Sequence, residues 1–272
     1  MKKEGNKKPA QDPDCIPGIY NYCDRWCERC PFTSRCMTFK LSEEKFGDPE
    51  TQDINNAAFW EKLSETLNDA LDLLKEMAEE KGIDLDSITA ESDDENRFYD
   101  DDNTVVHLLL HMSKSYIAMV DQWFEPYEHL KSQWADDLES APSVESSSSP
   151  SEEDTVAFRD AVKVVRWYQL QIHVKLRRAL NSAQEEKTED LGDFPNDSDG
   201  SAKVALIGID RSISAWGKIL EVFPDQEEES LSIVSFLKRL GDRVEKKFSE
   251  ARSFIRPGFD ENPKNGKAPG TI

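Results

Sequence analysis

Apolar residues recur at threes and fours along most of the chain, the period of an amphipathic helix rather than the strict alternation of a strand. Phe59, Trp60, Leu63, Leu67, Ala70, Leu71, Leu74 and Met77 form the first stripe, and Gly82 fits a helix end just beyond it. A second stripe, predicting a helix over residues 103–138, runs through Leu109, Met112, Tyr116, Val120, Trp123, Tyr127, Leu130 and Trp134. Pro126 lies inside it, removes an amide donor and is expected to kink it. Residues 153–184 predict a third helix, although residues 162–167 are locally β-branched. The fourth, over 202–223, carries Leu206, Ile209, Ile213, Trp216, Leu220 and Phe223 on one face and is broken by Pro224. The fifth, over 227–255, carries Leu231, Val234, Leu237, Leu240, Val244 and Phe248.

Five amphipathic helices, each with one apolar stripe, must bury those stripes against one another. The expected fold class is therefore all-α, a four- or five-helix bundle occupying residues 57–255. Between the helices, 84–102 and 185–201 read as acidic loops, and 140–153 as a Ser/Pro/Glu linker. Residues 41–56 read as a polar connector with a turn signal at Gly47-Asp48-Pro49. Residues 1–14 and 256–272 read as disordered tails. The remaining piece, 15–40, is a short cysteine-rich segment preceding the bundle.

Charge narrows the class of partner. The 272 residues carry 55 acidic against 34 basic side chains, a net charge of −21. A surface of that sign repels phosphate backbones and anionic lipid, so neither nucleic acid nor membrane is expected as a partner. No apolar run approaches the length of a membrane helix, and the basic start, MKKEGNKK, has no apolar stretch after it, unlike a secretory signal. The expected location is the cytoplasm, where thiols stay reduced.

All five cysteines lie between Cys15 and Cys36. A disulfide framework spreads its cysteines along a chain; a metal site gathers them. Cys23, Cys27, Cys30 and Cys36 have the spacing C-x3-C-x2-C-x5-C, and Cys15 stands apart as the weakest candidate. Thiolates are soft ligands, and four of them suit an iron–sulfur cluster or a closed zinc site. Short loops let the sulfurs converge with little closure entropy. Pro31 stiffens the chain after Cys30, and Arg25, Arg29 and Arg35 supply positive charge that favours thiolates. The candidate ligands are thus Cys23, Cys27, Cys30 and Cys36, holding a [4Fe–4S] cluster or, alternatively, zinc.

The run from Cys27 to Cys36 resembles the C-x2-C-x5-C clasp of several iron–sulfur proteins, among them the terminal cluster of RecB-like nucleases and the auxiliary cluster of SPASM-type maturases. The resemblance spans that run alone and implies neither fold nor substrate. The C-x3-C-x2-C portion also has the spacing of radical S-adenosylmethionine enzymes. Three features oppose that chemistry: Arg29 stands where that family usually has an aromatic, the strand–helix alternation of its barrel is missing, and Cys36 would close the iron position that must stay open.

Other candidates weigh less. His107 and His111 are one helical turn apart, but their line continues through Lys114, Ala118, Gln122, Glu125 and His129, a polar face. His173 reads as a packed or paired structural residue. No histidine has the Glu-x-x-His spacing of di-iron bundles. Ser201, after Gly200, reads as the N-cap of the fourth helix rather than an anion site. Asp210 and Arg211 flank that helix's stripe as a possible ion pair. The function expected from these features is metal binding in a structural, redox or sensing role. The alternatives are a zinc-stabilised interaction scaffold that takes a protein partner on its helical surface, and an iron–sulfur subunit of an oxidoreductase.

Overall fold

The computed structural model describes residues 13–84, 104–126, 152–188, 197–222 and 224–260. The inner parts of the predicted loops, most of both tails and the predicted helix beyond Pro126 lie outside these residues. Among the described residues every regular element is helical, with seven α-helices and no strand. They are α1 (Met37–Phe46), α2 (Pro49–Gln52), α3 (Ala57–Lys81), α4 (Thr104–Phe124), α5 (Glu152–Thr188), α6 (Asp197–Val222) and α7 (Glu227–Lys247). None is long and apolar enough to cross a membrane.

The chain divides into two compact units. One takes in the described residues of Met1–Asn21, Arg25–Arg97 and Pro257–Ile272; the other takes in those of Tyr22–Asp24 and Phe98–Arg256. In the first, α3 begins at an Asn56 cap, whose side chain accepts from the Ala58 amide at 3.0 Å. It ends at Gly82, whose φ of 67° is the left-handed conformation that turns the chain while Ile83 N–H donates to the Ala78 carbonyl at 2.8 Å. The predicted connector 41–56 is instead largely helical, forming α1 and α2. Phe46 of α1 and Phe59 of α3 sit 6.3 Å apart between ring centres, and Lys45 pairs with Asp69 at 3.0 Å. Residues 257–260, expected in the tail, are ordered: Phe259 meets Phe32 edge-to-face at 5.1 Å.

The predicted stripe of α3 is not buried. Trp60, Leu67, Leu71, Leu74 and Met77 are each about half exposed, and Ala78 is the helix's one fully buried residue. The expectation that all five stripes bury one another therefore fails for this helix.

In the second unit α4 packs on α5 and α7, and α6 packs on the same two, so the four helices contact one another in a ring. α4 contributes Leu109, Tyr116, Val120 and Phe124 to the interior, α5 contributes Val165, Tyr168, Ile172 and Leu176, and α7 contributes Leu237, Leu240 and Val244. Trp216 of α6, fully buried, lies 5.2 Å from Trp123 and 6.1 Å from Phe124. These contacts reach α4, its diagonal partner in the ring, across the middle of the unit.

Several boundaries differ from those the sequence predicts. α4 stops at Phe124, two residues before Pro126, because the residue ahead of proline disfavours helical backbone. α5 runs on to Thr188. α6 starts at Asp197, so Ser201 is no cap: it is fully buried inside the helix and its hydroxyl has no hydrogen-bond partner among the described residues. α7 ends at Lys247 rather than 255, and the following turn tucks Phe248 and Ala251 inward. Lys203 caps that turn, donating to the Phe254 carbonyl at 2.5 Å and the Arg252 carbonyl at 3.3 Å. Asp210 and Arg211 do not pair with each other. Asp210 binds Arg252 at 2.5 Å, and Arg211 reaches Asp24 at 2.8 Å.

A polar cluster around Asp197 helps tie α5 to α6. Asp197 accepts from Arg178 Nε at 3.0 Å and from Ser182 Oγ at 2.8 Å. Burial alone would raise its pKa, but the hydrogen bonds from Arg178 and Ser182 outweigh that and hold it below the ordinary 3.8. A depressed folded value adds stability above the unfolded pKa that is lost as pH falls through the folded one. Asp197→Asn should therefore be less stable than the parent near neutrality, with the gap closing as pH drops below about 3.8. Urea midpoints across that range measure it, and a gap that does not change with pH would count against the assignment.

Candidate functional site

The cysteine segment is built from tight turns. Cys30 N–H donates to the Cys27 carbonyl at 3.1 Å and Cys36 N–H to the Thr33 carbonyl at 3.1 Å, each closing a single 3-10 turn. The first turn brings the two cysteines of the C-x2-C pair onto one bend, as any four-residue turn does. Cys36 then serves as the N-terminal boundary of α1. Arg29 lies over the Trp26 ring at 3.9 Å, a cation–π contact that fixes the guanidinium beside the bend. Arg25, Arg29 and Arg35 are all exposed. Arg25, between Cys23 and Cys27, has φ 60°, a left-handed conformation unusual for a residue with a β-carbon.

Cys15 is buried, whereas Cys23, Cys27, Cys30 and Cys36 are partly exposed, and none forms a disulfide. Ile16 N–H donates to the Arg35 carbonyl at 2.9 Å, and Arg35 Nε to the Asp14 carbonyl at 3.3 Å. That pairing lays Cys15 alongside the chain at Cys36, a neighbourhood that separation in sequence hides. Cys15, Cys27, Cys30 and Cys36 belong to the first unit, and Cys23 belongs with Tyr22 and Asp24 to the second. Among the described residues, no three His, Cys, Asp or Glu side chains are gathered closely enough to hold a metal ion.

Both neighbours of Cys23 are anchored on the helices. Tyr22 is buried edge-on against Phe254 at 4.8 Å and over Gly200. The Asp24 carboxylate accepts from the Tyr168 hydroxyl at 2.5 Å and from Arg211 at 2.8 Å, and its carbonyl accepts from Trp167 Nε1 at 3.0 Å. Arg211 also donates to the Tyr168 oxygen. Burial, followed by the Asp24 charge, pushes the Tyr168 pKa upward, so the phenol stays a donor and cannot act as a base near neutrality. These groups hold the chain in place on either side of Cys23.

Sequence reasoning missed Tyr22, Asp24, Trp167 and Tyr168 as a set. The available signal was Tyr168, a hydroxyl set within the buried stripe of α5, since a buried polar group requires a partner. The histidines lie elsewhere: His107 and His111 are exposed on α4, as their polar line predicts. His173 shares a 2.8 Å hydrogen bond with Ser113, and burial together with Lys114 and Arg177 lowers its pKa. A cleft of about 470 Å³ lies beside it, lined by His173, Arg177, Arg178 and Asn181, all from α5.

No protein-family model, curated protein or solved structure matches the chain.

Proposed function

We propose that this chain is a metal-binding helical protein, a bundle of α4–α7 preceded by a cysteine-rich segment whose Cys23, Cys27, Cys30 and Cys36 hold a [4Fe–4S] cluster. Its role is structural, redox or sensing, and its place is the cytoplasm, where the acidic surface excludes nucleic acid and membrane as partners. The observation that carries the reading is the close turn from Cys27 to Cys30, with Cys36 ending the next turn and every thiol outside a disulfide. Short loops between four soft ligands keep the closure entropy of one centre low, and ligation energy then becomes folding energy for residues 15–40. Zinc is the alternative occupant, because the same tight turn and donor set suit a compact zinc knuckle.

Anaerobic purification with a visible spectrum and metal analysis tests this. A brown protein with iron and sulfide in equal amounts supports the cluster, a colourless one with stoichiometric zinc supports the alternative, and a chain free of both overturns the reading. Cys27→Ser and Cys30→Ser should each abolish metal content, and Cys15→Ser should leave it intact. Normal metal in both of the first two variants rejects the ligand assignment.

A further inference from the structure

The first unit carries an apolar surface that packing among its described residues leaves half exposed. On α3, Trp60, Leu67, Leu71, Leu73, Leu74 and Met77 are 55%, 57%, 52%, 57%, 51% and 48% exposed. Monomers rarely leave so large a contiguous patch in water. With each side chain about half exposed, the patch is on the order of 600 Å² per copy and about 1,200 Å² across a symmetric pair, the lower bound of stable interfaces.

The pattern within the patch, with the charge of its flanks, favours a second helix as its cover. From Trp60 onward the helix follows a seven-residue repeat, with Trp60, Leu67 and Leu74 at the first position and Leu63, Ala70 and Met77 at the fourth. That is the seam of a paired helix, in which knobs of one chain fit holes of another. The flanking fifth and seventh positions are Ser64, Leu71, Ala78, Thr66, Leu73 and Glu80, so only one carries charge. Lys81, the last residue of the helix, occupies the next first position and closes the apolar seam there; the remaining charges sit outside it, mostly on the far side, where Lys62 pairs with Glu65 at 2.6 Å. A basic partner helix would be met by acidic flanking positions, which set partner choice in such pairs; neutral flanks suit a surface meeting its own copy without like-charge repulsion.

We propose that α3 is a self-association helix, pairing two copies of this chain through an isologous seam centred on Leu67, Ala70 and Leu74. The full-length protein, with light scattering after size exclusion and sedimentation at several concentrations, provides the test. The expected result is twice the chain mass. Leu67→Gln with Leu74→Gln should weaken association by roughly two orders of magnitude or more, leaving monomer with unchanged helix content by circular dichroism. Glu65→Gln with Asp72→Asn, on the outer face, should leave the dimer intact. A parent chain that is monomeric throughout, including one that covers α3 with another part of itself, overturns the proposal. So does a dimer that survives the seam variant or falls apart with the outer-face variant.

Discussion

Trp216→Ala should lower the unfolding free energy by about 3–5 kcal/mol, the cost of emptying a fully buried aromatic site. The indole is wholly enclosed and meets the Trp123 ring at an interplanar angle of 78°, with Trp123 and Phe124 themselves edge-to-face at 4.7 Å. Its Nε1 donates to the Tyr116 hydroxyl at 3.4 Å. Truncation would leave a void between diagonal helices of the ring, which neither can fill without drawing away from α5 and α7, and it would strip a donor from Tyr116. That phenol already sits in a dry place, burial having pushed its pKa to about 12. Domains are stable by only about 5–15 kcal/mol, so the loss is a large fraction of the total. Trp60→Ala provides the contrast: the same residue type on α3 is half exposed and should cost far less in the folding of a single chain. Urea titration followed by circular dichroism measures both. A loss below about 1 kcal/mol for Trp216→Ala would show that the diagonal aromatic contact is not what fills the core.

What the sequence made legible follows from which forces are local. The C-terminal end of α3 was readable because glycine at position 82 supplies a left-handed residue, a requirement of the backbone at that point alone. The interior faces of α4, α6 and the later turns of α7 were readable because a stripe on one helix face has to be buried somewhere, although Leu231, at the start of the α7 stripe, is exposed. The start of α6 was misread because Gly200 and Ser201 resemble an entry signal, yet their smallness serves tertiary packing, which overrides propensity. The stripe of α3 was assigned to a common core because periodicity reveals that a face is apolar without revealing what covers it. At the cysteine segment the thiol spacing was plain. The anchoring of Tyr22 and Asp24 was not, since the partners of Asp24 lie 144 and 187 residues away and local pattern cannot encode contacts at that range.

Gly200→Val should destabilise the helical unit by about 3 kcal/mol, the upper end of what overpacking usually costs, and it would act on the footing of Cys23. A β-carbon at position 200 would stand 2.4 Å from Tyr22 Cε1, 2.6 Å from Tyr22 Cδ1 and 2.8 Å from Phe254 Cζ. These are ring atoms of buried side chains, so relief requires Tyr22 to leave its site and give up its contact with Phe254. The sign for Gly200→Ala is the sharper discriminator. Inside a helix, alanine is favoured over glycine by about 1 kcal/mol, so propensity alone predicts a more stable protein, whereas the clash predicts a less stable one. The clash should win, because burying an aromatic ring is worth more than about 1.5 kcal/mol and that burial would be lost. Pairing each substitution with Tyr22→Ala removes most of the obstructing atoms, so the penalty at position 200 should shrink by at least about 1 kcal/mol in that background. Limited chymotryptic cleavage after Tyr22 should also quicken in Gly200→Val as the ring becomes accessible. A Gly200→Ala protein that is more stable than its parent, with cleavage at Tyr22 unchanged, would mean that the tyrosine is not seated on α6.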